Sequence, residues 1–84
     1  MINLYEYNIC TNADKVVFLR QCAVLEKHIP NLRKRQRLID VDESETQIYT
    51  LEDKTIIVHN SYYIGAVYVQ SDVDLLPYFN SKVQ

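Results

Sequence analysis

The spacing of apolar residues changes along the chain, and with it the predicted structure. From Ile2 to Ile9, Tyr5, Tyr7 and Ile9 fall on one parity and Ile2 and Leu4 on the other, which predicts a strand. From Asp14 to Ile29 the period lengthens. Phe18, Cys22, Leu25 and Ile29 recur at helical spacing, flanked by Leu19 and Ala23, with no Gly or Pro among them. That pattern predicts a helix with one broad apolar face. Thr11 and Asp14 have the separation of a capping box. Pro30 disfavours helical geometry at Ile29 and sets the end. Lys27 and His28 fall in the last turn, where positive charge complements the helix dipole.

Beyond Pro30 a basic connector leads to a short strand at Leu38–Asp42 and then to the acidic turn DESE. Three β-rich runs follow, Thr46–Leu51, Lys54–His59 and Tyr62–Gln70. Only Glu52-Asp53 and Asn60-Ser61 separate them, so both connections are expected to be tight hairpins. Ser71 and Asp74 are alternative N-caps for a helical turn over Leu75–Phe79, and with Asp74 as the cap Pro77 falls in the tolerated first turn. The expected fold is α+β, a single domain over residues 1–84 with one helix packed on a mainly antiparallel sheet. Its outline is β-α-β-β-β with a short C-terminal helical turn, the brief Leu38–Asp42 run aside.

Pairing 51 with 54 and 59 with 62 sorts the side chains by face. One face receives Tyr49, Leu51, Ile56, Val58, Tyr63, Gly65, Val67 and Val69. The other receives Ile48, Ile57, Tyr62, Ile64, Ala66 and Tyr68, with Thr46, Thr50, Thr55 and His59. Both are too apolar for a sheet with one wet side. A single helix covers one face, and the first, nearly all apolar, is the better core. The second mixes Tyr, Thr, His and Ile in the manner of an interface. Two covers are open to it: the C-terminal turn with Leu75, Leu76 and Phe79, or another chain.

Composition narrows the chemistry. The 84 residues include one Gly and two Pro, too few for the glycine-rich loops that cradle nucleotides. Gly65, inside the last predicted strand, is expected to mark a bulge or a close approach. The net charge of −2 hides an asymmetry, with +4 over residues 1–37 and −6 over residues 38–84. Seven Tyr and no Trp is heavy tyrosine usage, and Tyr is enriched at interfaces. The N-terminus has no basic region ahead of an apolar run, and no apolar run reaches membrane-spanning length. Cys10 and Cys22, separated by ~15 Å of helix rise, read as free thiols, so a cytoplasmic protein is expected.

Cys10, Cys22, His28 and His59 are the only soft metal ligands, and their spacing matches no zinc motif. Cys10 with His59 is the one conceivable Cys/His pair, with nothing in the sequence that brings the two together. No metal, cofactor or catalytic residue is expected, and the chain does not read as an enzyme. The expected function is that of a small protein-binding module, an inhibitor, immunity-type or adaptor protein. Its expected contact residues are Ile48, Ile57, His59, Tyr62, Ile64 and Tyr68 on the second face, with Asp40, Asp42, Glu43 and Glu45 steering it to a basic protein partner. A homodimer through the same face is the related possibility. The alternative is a nucleic-acid-binding protein using Arg33, Lys34, Arg35 and Arg37.

Overall fold

A computed structural model describes residues 5–80 of the chain, with side chains through Tyr78. The elements run β1 (Tyr5–Cys10), α1 (Lys15–His28), β2 (Arg33–Ile39), β3 (Glu45–Leu51), β4 (Lys54–Ser61), β5 (Ala66–Ser71) and α2 (Leu76–Asn80). The fold is α+β, with all strand pairs antiparallel and a sheet order of β1-β5-β4-β3-β2. Helix α1 therefore carries the chain from one sheet edge to the other and lies over the central strand β4. Residues 2–4 of the expected first strand lie outside the described residues.

The helix forms where its apolar period begins. Its N-cap is Asp14, not Thr11: the extended Asp14 backbone lets its carboxylate accept from Val16 N at 2.9 Å and Val17 N at 3.2 Å. The helix is pinned to the sheet at the same point, because Asp14 N donates to Asn60 Oδ1 at 2.9 Å. It ends at His28, with Ile29 extended ahead of Pro30. The stripe Phe18, Cys22, Leu25 and Ile29 is buried against Tyr49, Ile56, Val58, Val67 and Val69 of the sheet.

Three expectations need correction. The basic segment is not a connector but strand β2, which runs over Arg33–Ile39 and stops before Asp40 rather than spanning Leu38–Asp42. The sheet thus has one strand more than the outline. As an outer strand, β2 needs no apolar alternation, and charge is a normal guard for an edge. The β4–β5 connection is not at Asn60-Ser61. Ser61 pairs with Ala66, and Tyr62, Tyr63, Ile64 and Gly65 form the loop, closed by Gly65 N donating to Ser61 O at 2.8 Å. Gly65 is accordingly a loop residue and not a strand bulge. Its φ of +76° is one that L side chains rarely adopt, and a Cβ there would meet nothing within 4 Å.

The β3–β4 hairpin does turn at Glu52-Asp53, with Leu51 opposite Lys54 and Glu52 at a φ of 58°. Helix α2 starts from Asp74, whose Oδ1 accepts from Leu76 N at 3.0 Å. It packs beside α1, on the helix side of the sheet, and Leu75 at its entry is fully buried in the core. Tyr7 fixes that entry: its hydroxyl accepts from Leu75 N at 2.8 Å and donates to Asp74 Oδ1 at 3.0 Å. Among the described residues, no element covers the opposite sheet face. The side chain of Phe79 lies outside them.

Candidate partner-binding surface

On the uncovered face the antiparallel registers align side chains in rows across the sheet. One row runs Leu38, Thr46, His59, Tyr68 and Asn8, from β2 through β3, β4 and β5 to β1. The next runs Ile48, Ile57, Gln70 and Glu6. Ile48, Ile57, His59 and Tyr68, all expected on this face, are there and half-buried. The His59 and Tyr68 rings stack with centroids 4.6 Å apart and planes 19° off parallel.

The His59 ring is held at both nitrogens. Nε2 lies 3.0 Å from Gln70 Oε1, and Nδ1 lies 3.4 Å from Thr46 Oγ1. An amide oxygen accepts only, so Nε2 carries the proton and the Thr46 hydroxyl donates to Nδ1. Burial in this row pushes the imidazole below its ordinary pKa, against the opposing pull of the Gln70 hydrogen bond and the Glu6 charge. His59 is therefore a neutral, oriented ring at neutral pH.

Tyr62 and Ile64 are not on the face but in the β4–β5 loop beside it, together with Tyr63. This loop touches the acidic β2–β3 loop, because Tyr62 N donates to Ser44 Oγ at 2.8 Å. The acidic loop is shaped by its own carboxylates: Asp40 Oδ1 accepts from Val41 N at 3.1 Å, and Asp42 Oδ1 from Ser44 N at 3.0 Å. The Ser44 N–H holds the Asp42 carboxyl below the usual carboxylate range. Asp40, Asp42 and Glu43 are exposed. Glu45 is not part of that surface. It is buried on the helix side, where it accepts from Arg37 Nε at 2.9 Å and from Arg37 Nη2, with Lys15 Nζ 3.8 Å away.

These two loops concentrate exposed apolar surface at one end of the sheet. Leu38, Ile39, Val41, Tyr62, Tyr63 and Ile64 are all exposed, Val41 completely and Tyr63 at 92%. A shallow depression of ≈ 230 Å³ lies where β2 runs into the acidic loop, lined by Leu38, Ile39, Asp40, Ser44 and Thr46. Leu38, Ile39, Val41 and Tyr63 were not among the sequence-derived contact residues. The signal for Val41 was available: an apolar residue flanked by Asp40 and Asp42 in a loop has no local reason to be there.

The basic cluster splits between the two sides of the sheet. Lys34 and Arg37 face the helix side, where Lys34 Nζ lies 3.6 Å from Glu26 and Arg37 is bound to Glu45 with its guanidinium 5.7 Å from the centre of the Phe18 ring. Arg33 and Arg35 face the open side, and Arg35 Nε donates to Thr50 Oγ1 at 2.9 Å. Four positive charges in sequence thus become two carboxylate-paired charges and two open ones.

The structure separates the conceivable Cys/His pair. Cys10 pairs with Val67 on the helix side, whereas His59 is on the opposite face. Cys22 is in the core, and burial pushes its thiol pKa up, which disfavours the reactive thiolate. Tyr49, donating to Glu26 Oε2 at 2.5 Å, is likewise held protonated by burial and by that carboxylate. Among the described residues, no helix is long and apolar enough to cross a membrane. No family model matches the chain, and no curated protein or solved structure matches it.

Proposed function

We propose that the chain is a small protein-binding module, of the inhibitor, immunity or adaptor kind, that works by covering part of a partner's surface. The contact surface comprises the open-face residues Ile48, Ile57, His59 and Tyr68 and the adjoining loop residues Tyr62, Tyr63 and Ile64. The observation that carries this reading is the gathering of exposed aliphatic and aromatic side chains at one end of a sheet face that no described element covers. Contiguous exposed apolar surface of this kind marks interaction sites in small proteins. Tyr adds area with little rotamer entropy to lose. The exposed carboxylates Asp40, Asp42 and Glu43 stand at the rim, where charge acts mainly on encounter rate and favours a basic partner.

Nucleic-acid binding is the weaker reading because Glu26 and Glu45 engage two of the four clustered cations. The two readings separate in one experiment. The purified protein is used to capture a partner, which is identified by mass spectrometry, and the purified pair is then titrated. The expected result is a protein whose binding is lost when Tyr62, Tyr63 and Ile64 are replaced by Ser and kept when Arg33 and Arg35 are. A nucleic acid bound with affinity falling steeply and linearly with log salt, and lost on replacing the two arginines, would overturn the proposal.

A further inference from the structure

Strand β2 is an outer strand, paired only with β3 among the described residues, and its character changes along the chain from basic to apolar to acidic. The first half carries Arg33 and Arg35, which have no ion-pair partner among the described residues. The end of the strand carries Leu38 and Ile39, 51% and 68% exposed. The loop that follows carries Asp40 and Glu43. The two halves also differ as an edge. Between Lys34 and Arg37 the register shifts, and the buried Gln47 side chain takes up the backbone there, Nε2 donating to Arg35 O at 3.0 Å and Gln36 O at 3.2 Å. A bulge and charges are the usual guards against edge-to-edge pairing. The second half, Arg37–Ile39, has neither: it is in register with β3, its two apolar residues are exposed, and Arg37 is turned inward onto Glu45.

We infer that β2 pairs antiparallel with β2 of a second copy about a two-fold axis at Leu38, joining two five-stranded sheets into one. The charge order selects both partner and direction. A parallel pairing sets arginine against arginine and carboxylate against carboxylate. Antiparallel pairing inverts the strand, so each copy's arginines meet the other's acidic loop. The reach is sufficient. At ~3.3 Å per residue, Arg35 lies ~10 Å from the axis and Asp40 of the second copy ~7 Å from it on the same side. An extended arginine side chain spans the difference. Leu38 of one copy meets Leu38 of the other at the axis, with Ile39 beside it on the opposite face, the self-complementary contact that a two-fold requires. This contact takes Asp40 and Glu43 from the rim of the proposed partner surface and leaves Tyr62–Ile64 and the central face uncovered, on one side of the joined sheet.

The test is a charge exchange read by sedimentation equilibrium and native mass spectrometry. Wild-type protein should be a dimer that weakens as salt is raised. Arg33→Glu with Arg35→Glu, and separately Asp40→Lys with Glu43→Lys, should each weaken self-association at least ~10-fold, because like charges then face each other. Circular dichroism checks that both variants fold. Mixing the two should restore a one-to-one heterodimer, since every contact is again between opposite charges, and combining all four substitutions in one chain should restore the homodimer. A wild-type protein that remains monomeric at millimolar concentration overturns the inference, as does a dimer that neither exchange affects. Monomeric wild type that binds poly-glutamate or a single-stranded oligonucleotide through Arg33 and Arg35 overturns it too, and assigns the strand to a different acidic partner.

Discussion

The two faces of the sheet start from similar hydrophobicity and end in opposite surroundings, one under the helices and one open. The helix face holds Tyr49, Ile56, Val58, Val67 and Val69 without exposure, together with four polar residues, Glu45, Gln47, Asn60 and Ser71, that are equally buried. Each of the four makes at least one polar contact, and Asn60 Nδ2 is buried without a hydrogen-bond partner among the described residues. Glu45 meets Arg37 and Lys15, Gln47 fills the β2 bulge, Asn60 accepts from the N-cap amide of α1, and Ser71 Oγ bonds the Val73 backbone at 2.6 and 2.9 Å. The open face holds Ile48, Ile57, His59 and Tyr68, all half-buried, with Thr46, Thr50 and Thr55 between them. Mean polarity therefore does not tell core from contact surface in a domain this small. What tells them apart is whether an element lies above the face: α1 and α2 lie on the helix side, and no described element lies on the other.

The largest expected effect comes from emptying the centre of the helix face. Phe18 is fully buried and packs under the Arg37 guanidinium. Phe18→Ala should cost ~3–5 kcal/mol, measured as the loss of unfolding free energy in urea. A loss below ~1 kcal/mol would mean that the helix does not seal this face.

A smaller effect is expected at Gln47, where the buried polar group satisfies carbonyls of the edge strand. Gln47→Leu keeps the volume but strands the Arg35 and Gln36 carbonyls, at ~1–3 kcal/mol. Amide exchange should speed up in β2 before any other strand. Equal acceleration throughout the sheet would show that the bulge is not locally braced.

The smallest effect is a pH dependence on the open face. Burial lowers the His59 pKa in the folded state, so the unfolded chain binds more protons as pH falls. His59 therefore adds no penalty above its ordinary value of 6.5, and stability falls as pH drops below it toward the lowered folded-state value. His59→Gln should flatten the melting-temperature profile from pH 7 downward. An unchanged slope would locate the dependence in other groups.

How legible these features were depended on what each residue had to do locally. The α1 stripe could be read because Phe18, Cys22, Leu25 and Ile29 all bury toward one sheet. The Glu52-Asp53 turn could be read because strands of strong β propensity flank it on both sides. Strand β2 could not, since an edge strand without a core-facing apolar series looks like a charged connector. The β4–β5 loop was hidden for the opposite reason: Tyr62, Tyr63 and Ile64 are apolar and β-prone yet exposed. Gly65, the single glycine, was the available clue to that turn. The sorting of β5 by face survived the misplaced turn because His59 pairs with Tyr68 instead of Tyr62, a shift of six residues that preserves parity. For the candidate surface, Ile48, Ile57, His59 and Tyr68 were therefore correctly placed, while Tyr62 and Ile64 moved to the loop and Glu45 to the interior.

The most direct test of the central contrast puts charge on the open face. Tyr68→Glu combined with Ile57→Lys should leave the urea midpoint nearly unchanged while removing binding to the partner identified by capture, measured by calorimetry on the purified pair. Loss of the folded state would show that this face is core after all, and a folded double variant that binds the partner with unchanged affinity would show that the contact lies elsewhere.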